Sequence, residues 1–207
     1  MLRGEKNMTD YFAIFGERRA PWLDAEVLKE KFHALSATLH PDASANTKTA
    51  SEKNDAALCA DFATLNSAYQ ILRDPAARLR HLIELDFPQL LSRGDASNIP
   101  PELIERFAQV GKLRQRTKQF FQKQKQAANP LATALLSSEK FALLDELQQL
   151  VAALENEQAQ FDDELKMLGA SWPNAASAAR LAQIYQRLAF GGKWSRQLRE
   201  DLLQLSV

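Results

Sequence analysis

The chain has 207 residues, enough for one large domain or two small ones with a buried core. Apolar residues make up 45% and charged residues 25%, the balance of a soluble globular chain, and Lys+Arg and Asp+Glu both number 26. That neutrality argues against nucleic acid or an anionic membrane as a general partner, and the single cysteine, Cys59, excludes an intramolecular disulfide framework or a multi-thiolate metal site.

Residues Met1 to Thr9 carry charges and lack an apolar stretch, so no secretory signal is expected, and the expected location is cytoplasmic. Thr9 and Asp10 are placed to cap a brief helix carrying Tyr11, Phe12, Ile14 and Phe15, which Gly16 ends. Asp24 caps a longer helix running to about Leu39, with Leu28, Phe32, Leu35 and Leu39 on one stripe. Pro41 stops it, because proline lacks an N–H and disfavours helical geometry in the residue before it. Residues 43–55 are polar and patternless and are predicted to be a loop.

A second long helix follows, with Leu58, Phe62, Leu65, Tyr69 and Leu72 on its stripe. Two such stripes joined by a polar loop predict an antiparallel helix hairpin, closed by the small first helix. Asp74-Pro75 breaks the second helix and starts a short one to about Leu85. Residues 86–100 contain Pro, Gly, Ser and Asn and are predicted to be a linker.

Pro101 suits the first turn of a helix reaching about Gln126. The next helix repeats Leu144, Leu147, Val151, Leu154, Gln158, Phe161, Leu165 and Leu168 as a coiled-coil-like seam. Trp172-Pro173 marks a turn, and a last helix carries Leu181, Ile184, Leu188, Gly191, Ser195, Leu198, Leu202 and Leu205. Three such helices predict a bundle. With no sustained alternation that would make a strand, the expected class is all-α: a helix hairpin over 1–85, a linker over 86–100 and a three-helix bundle over 101–207. Gly191-Gly192 costs the last helix about 1 kcal/mol per glycine relative to alanine, or marks a kink.

The run Lys112, Arg114, Arg116, Lys118, Lys123 and Lys125 has no acid between its members. It lacks a nucleic-acid motif, and the following helix holds Asp145, Glu146, Glu155, Glu157, Asp162, Asp163 and Glu164, so the two are expected to pair as complementary faces.

The residues that carry chemistry lie where the first long helix ends, at His40-Pro41-Asp42. The proline stiffens the support of the Asp42 carboxylate, which makes it a good partner for an arginine fork, and His40 can exchange hydrogen bonds and change charge near neutral pH. A catalytic reading with Ser36 or Ser44 lacks both the orienting geometry of a triad and a nucleophile elbow. His33, His40, His81 and Cys59 show no metal-ligand spacing, no cofactor is implied, and His33 and His81 are expected on the helix surface.

Around that tripeptide, Leu28-Lys29-Glu30-Lys31-Phe32-His33-Ala34-Leu35 leads in, and Phe62, Asn66, Ala68, Tyr69, Leu72, Asp74-Pro75 and Arg78 follow. With Asp10-Tyr11-Phe12 and Phe15-Gly16 ahead of them, these residues resemble a J-domain from about Asp10 to Leu85. The resemblance implies a co-chaperone, not an enzyme, whose loop His40, Pro41 and Asp42, with Lys29 and Lys31 on the preceding helix, docks on a DnaK/HscA-class ATPase chaperone and stimulates its hydrolysis. Ala34, Ala37, Thr38 and Ala43 are uncharged where J-domains usually carry basic residues, so electrostatic steering is expected to be weaker.

An N-terminal J-domain, a short linker and a C-terminal helical bundle, with no Gly/Phe-rich segment, resemble the HscB family of iron–sulfur cluster assembly co-chaperones. The family's bundle binds the cluster scaffold protein through apolar side chains on its first and last helices. Leu103-Ile104-Glu105-Arg106-Phe107 and Leu188-Ala189-Phe190 match those helices, which implies Leu103, Ile104, Phe107 and Phe190 as scaffold-binding residues. The helical phase agrees for Phe190, which lies about 200° around the helix from seam residue Leu188 and should point away from the bundle axis. A J-protein with a different client and a helical structural adaptor are the alternatives.

Overall fold

A computed structural model describes residues 8–39, 52–91, 100–127 and 130–206, with the side chains of 52–59, 132 and 133 left aside. Among these residues there is no strand, and no helix is long and apolar enough to cross a membrane. The helices are α1 (Tyr11–Ile14), α2 (Ala25–Leu39), α3 (Glu52–Arg73), α4 (Pro75–Asp86), α5 (Pro101–Gln126), α6 (Pro130–Gly169) and α7 (Ala175–Ser206), with a 3₁₀ turn at Pro88–Leu90. Chain contacts divide them into two compact units: residues 1–93 with 164–185, and residues 94–163 with 186–207.

In the first unit the short polar side chains act as caps. Asp10 accepts hydrogen bonds from the N–H groups of Phe12 and Ala13, Asp24 from those of Glu26 and Val27, and Asp74 from that of Ala77. Gly16, at φ 60°, takes the left-handed conformation that lets the chain leave α1. Helix α3 begins at Glu52, inside the segment expected to be loop; Glu and Lys are good helix formers, and an acidic residue suits a helix N-terminus.

Helix α3 packs on both α1 and α2. Phe32 of α2 stacks on Tyr69 of α3 with ring centroids 4.2 Å apart, and Phe15 approaches the same ring at 6.5 Å. The Arg78 guanidinium, 4% exposed, donates to Pro21 O at 3.0 Å and Leu72 O at 2.7 Å. It thereby joins the chain entering α2 to the end of α3, which makes the two helices an antiparallel hairpin. Phe12, Leu28, Leu65, Ala68, Leu72, Leu79 and Leu82 are all buried in this unit.

Residues 164–185 are tied to the N-terminal segment by polar and aromatic contacts. Arg18 donates to Trp172 O at 2.8 Å, the Trp172 indole N–H donates to Asp86 at 2.9 Å, and Phe87 meets the Trp172 ring edge-on. Asp86 also takes Arg19, which bridges to Asp10. His81 departs from its expected surface position: it is 4% exposed, with its ring against Tyr11 and Phe12. Docking of α1 covers it, a tertiary event that no local pattern encodes.

The second unit is a bundle of three helical segments around one core. Leu103, Val110, Leu113 and Phe120 of α5, Leu143, Leu147, Leu150, Val151 and Leu154 of α6, and Trp194, Leu198 and Leu205 of α7 form a single buried cluster. Helix α7 runs unbroken through Gly191-Gly192. The basic run on α5 is partly neutralised as expected: Arg116 grips Glu146 with two hydrogen bonds, at 2.5 and 2.9 Å, and Lys123 pairs with Glu139. That grip holds the Glu146 carboxyl below the usual carboxylate range. Arg114 pairs instead with Asp201 on α7, at 2.8 Å.

Candidate functional site

The residues assigned from the sequence fall in both units. His40, Pro41 and Asp42 lie outside the described residues; α2, which leads to them, is described through Leu39. Lys29 and Lys31 both sit on α2. The Lys29 ammonium is exposed and 3.4 Å from Glu26. Lys31 is more tightly held, 2.6 Å from Glu17 and 3.4 Å from the Phe15 carbonyl, so it fastens α2 to the chain that follows α1. An ammonium neutralised in that way contributes less to long-range attraction than a free one.

In the second unit the structure separates the four apolar residues. Leu103 is 7% exposed and belongs to the core cluster, because its phase on α5 puts it in line with Val110 and Leu113. Ile104, Phe107 and Phe190 are 55%, 64% and 41% exposed. Phe190 stacks on the Trp194 ring at 5.7 Å, and Phe107 tilts against the same ring at 6.4 Å. Trp194 is itself buried, so it forms a rigid floor from which two exposed phenylalanines rise, one from each helix. Rigid aromatic surface of this kind loses little conformational entropy on binding and supplies much of the energy of small interfaces.

Trp194 lies one residue off the alternating seam that runs through Gly191 and Ser195, so the seam alone does not place it in the core. A spacing of three from Gly191 reaches Trp194, and four more reach Leu198. A bulky aromatic one residue off the seam was the available signal.

A helix hairpin closed by a short N-terminal helix thus lies on the same chain as a bundle with an exposed aromatic patch. No protein-family model matches the chain. Individual relatives do. A Vibrio cholerae co-chaperone protein HscB homolog is 28% identical over 171 residues, covering 75% of this chain and 98% of that protein. A Bordetella avium HscB homolog is 35% identical over 96 residues, 46% of this chain and 55% of the relative. Among solved structures, the chaperone HscB from Vibrio cholerae matches with a TM-score of 0.56 at 26% identity, over 95% of this chain and 99% of that one. Human co-chaperone protein HscB shares the fold, with a TM-score of 0.60 at 16% identity over 96% and 84% of the two chains. The chain is thus similar to HscB co-chaperones, over nearly the full length of the Vibrio cholerae protein.

Proposed function

We propose that this chain stimulates a DnaK/HscA-class ATPase chaperone through His40, Pro41 and Asp42, and presents to it an iron–sulfur cluster scaffold protein held on Ile104, Phe107 and Phe190. In this reading residues 1–85 are the J-domain, 86–100 link it to the rest, and 101–207 hold the client, in the cytoplasm. The chain performs no chemistry of its own; ATP is hydrolysed by the partner. Leu103 supports the contact from beneath.

The observation that carries the client half is the convergence of Phe107 and Phe190 on one buried ring, Trp194. A folded helical chain ordinarily turns such side chains inward, and here two neighbouring helices aim them at solvent around a common floor. Supporting the chaperone half is likeness to HscB homologs along nearly their full length.

The test is a calorimetric titration of apo scaffold protein into the full chain and its Phe107→Ala/Phe190→Ala variant. Binding should weaken at least about a hundredfold, as for the loss of two hot-spot side chains, with the melting temperature little changed. Undiminished binding by the folded double variant would remove the client site from this face.

A further inference from the structure

Beside the aromatic patch, α5 and α7 enclose an open groove of about 290 Å³. Phe107, Val110 and Trp194 form its apolar wall and floor, and Arg114 and Lys118 stand on its rim. No carboxylate lines it. Arg114 is already engaged by Asp201, whereas Lys118, exposed on α5, has no ion-pair partner among the described residues.

The groove is open where Gly111 lines it. A methyl group added at Gly111 would meet nothing within 4 Å, so crowding by a neighbour does not demand glycine there. Glycine inside a helix nonetheless costs stability relative to alanine. That cost leaves a gap in the α5 surface directly alongside the Phe107 ring, continuous with the client patch.

We propose that this groove is a second subsite of the client surface, receiving an apolar side chain of the scaffold protein on a segment that places a carboxylate against Lys118. The inference rests on the client reading above. The apolar floor selects the side chain by fit and burial, and the cationic rim selects the charge of its neighbour. An acidic flank is attracted to this rim, and a basic one is repelled by it. Phe107 belongs to both subsites, its ring forming the wall between the groove and the Phe190 side of the patch.

The experiment titrates apo scaffold protein into the full-length wild type, Gly111→Leu, Lys118→Glu and Phe190→Ala, with melting temperatures measured alongside. Gly111→Leu fills the groove with a better helix former, so the protein should be at least as stable while scaffold affinity falls about tenfold or more. Lys118→Glu should lower affinity about three- to tenfold, mostly through slower association, and should flatten or reverse its salt dependence. Loss of binding in Phe190→Ala with full binding in both groove variants would overturn the subsite and leave the client reading standing. Full binding in all three variants and in Phe107→Ala/Phe190→Ala would remove the client reading itself. Self-association that vanishes in Gly111→Leu would show the groove to be filled by a second copy of this chain, which also overturns the proposal.

Discussion

The Tyr11 backbone N–H donates to His81 Nε2 at 3.2 Å, and the imidazole lies against the Tyr11 ring with centroids 4.6 Å apart. An accepting Nε2 must be unprotonated, so this contact requires a neutral histidine. Burial lowers the His81 pKa below its ordinary value near 6.5, opposed by the charges of Asp10 and Glu84 and aided by that of Arg19. The unfolded chain therefore binds the proton more readily than the folded one. The stabilisation is fully present above about pH 6.5 and is lost as pH falls from there toward the lowered folded value. Urea unfolding between pH 7.5 and 5 should show a falling midpoint for the wild type and a shallower fall for His81→Gln, whose amide keeps an acceptor without titrating. Parallel curves for the two proteins would contradict this account.

Arg78 is the polar centre of the same unit, with its guanidinium spent on the carbonyls of Pro21 and Leu72. Arg78→Met retains most of the side-chain volume and strands those carbonyls. Stranded buried acceptors cost about 1–3 kcal/mol each, so the variant should lose roughly 2–5 kcal/mol of stability in urea unfolding. A loss below about 1 kcal/mol would mean water replaces the guanidinium at little cost.

Helix α7 carries two adjacent glycines without a break in its span. Gly192 is exposed, and a methyl group there would meet nothing within 4 Å. Gly192→Ala should therefore stabilise the protein by about 0.5–1 kcal/mol, read as a higher urea midpoint at unchanged slope. Destabilisation would show that the helix needs the freedom of glycine at this point.

Much of this architecture is legible in the sequence, and apart from the early start of α3 at Glu52 the exceptions share one cause. Asp10 and Asp24 as caps, Gly16 as a stop and Pro101 as a helix start are local signals, and each stands where the residues put it, whereas on the α3 stripe Leu65 and Leu72 are buried and Phe62 is exposed. His81 and Trp194 owe their burial to helices that dock from elsewhere, and the packing of 164–185 with the N-terminal segment runs through Trp172, Asp86 and Arg18, far apart in the chain. Periodicity finds a face and says nothing of its partner. The outward aim of Phe190 was legible because it follows from phase alone; the burial of Leu103, one residue from exposed Ile104, needed the bundle.

Electrostatic steering by α2 should be modest. Lys31 is neutralised by Glu17, Lys29 lies near Glu26, and the rest of its exposed face includes Ala34, Ala37 and Thr38. Association with a DnaK/HscA-class chaperone should slow only about two- to fivefold between 50 and 300 mM salt, where a strongly basic face would lose far more. Stopped-flow association rates check this, and a steep salt dependence would place the steering charges on another surface.

In the proposed function the chain acts on an ATPase chaperone through Asp42. The most direct measurement is the single-turnover ATP hydrolysis rate of a DnaK/HscA-class chaperone, titrated with full-length wild type and with Asp42→Asn. The substitution preserves side-chain size and removes the charge available to an arginine fork. The wild type should raise the rate at least tenfold, and Asp42→Asn, with an unchanged melting temperature, should leave it near the unstimulated value. Equal stimulation by the two proteins, or none by the wild type with chaperones of this class, would contradict the account.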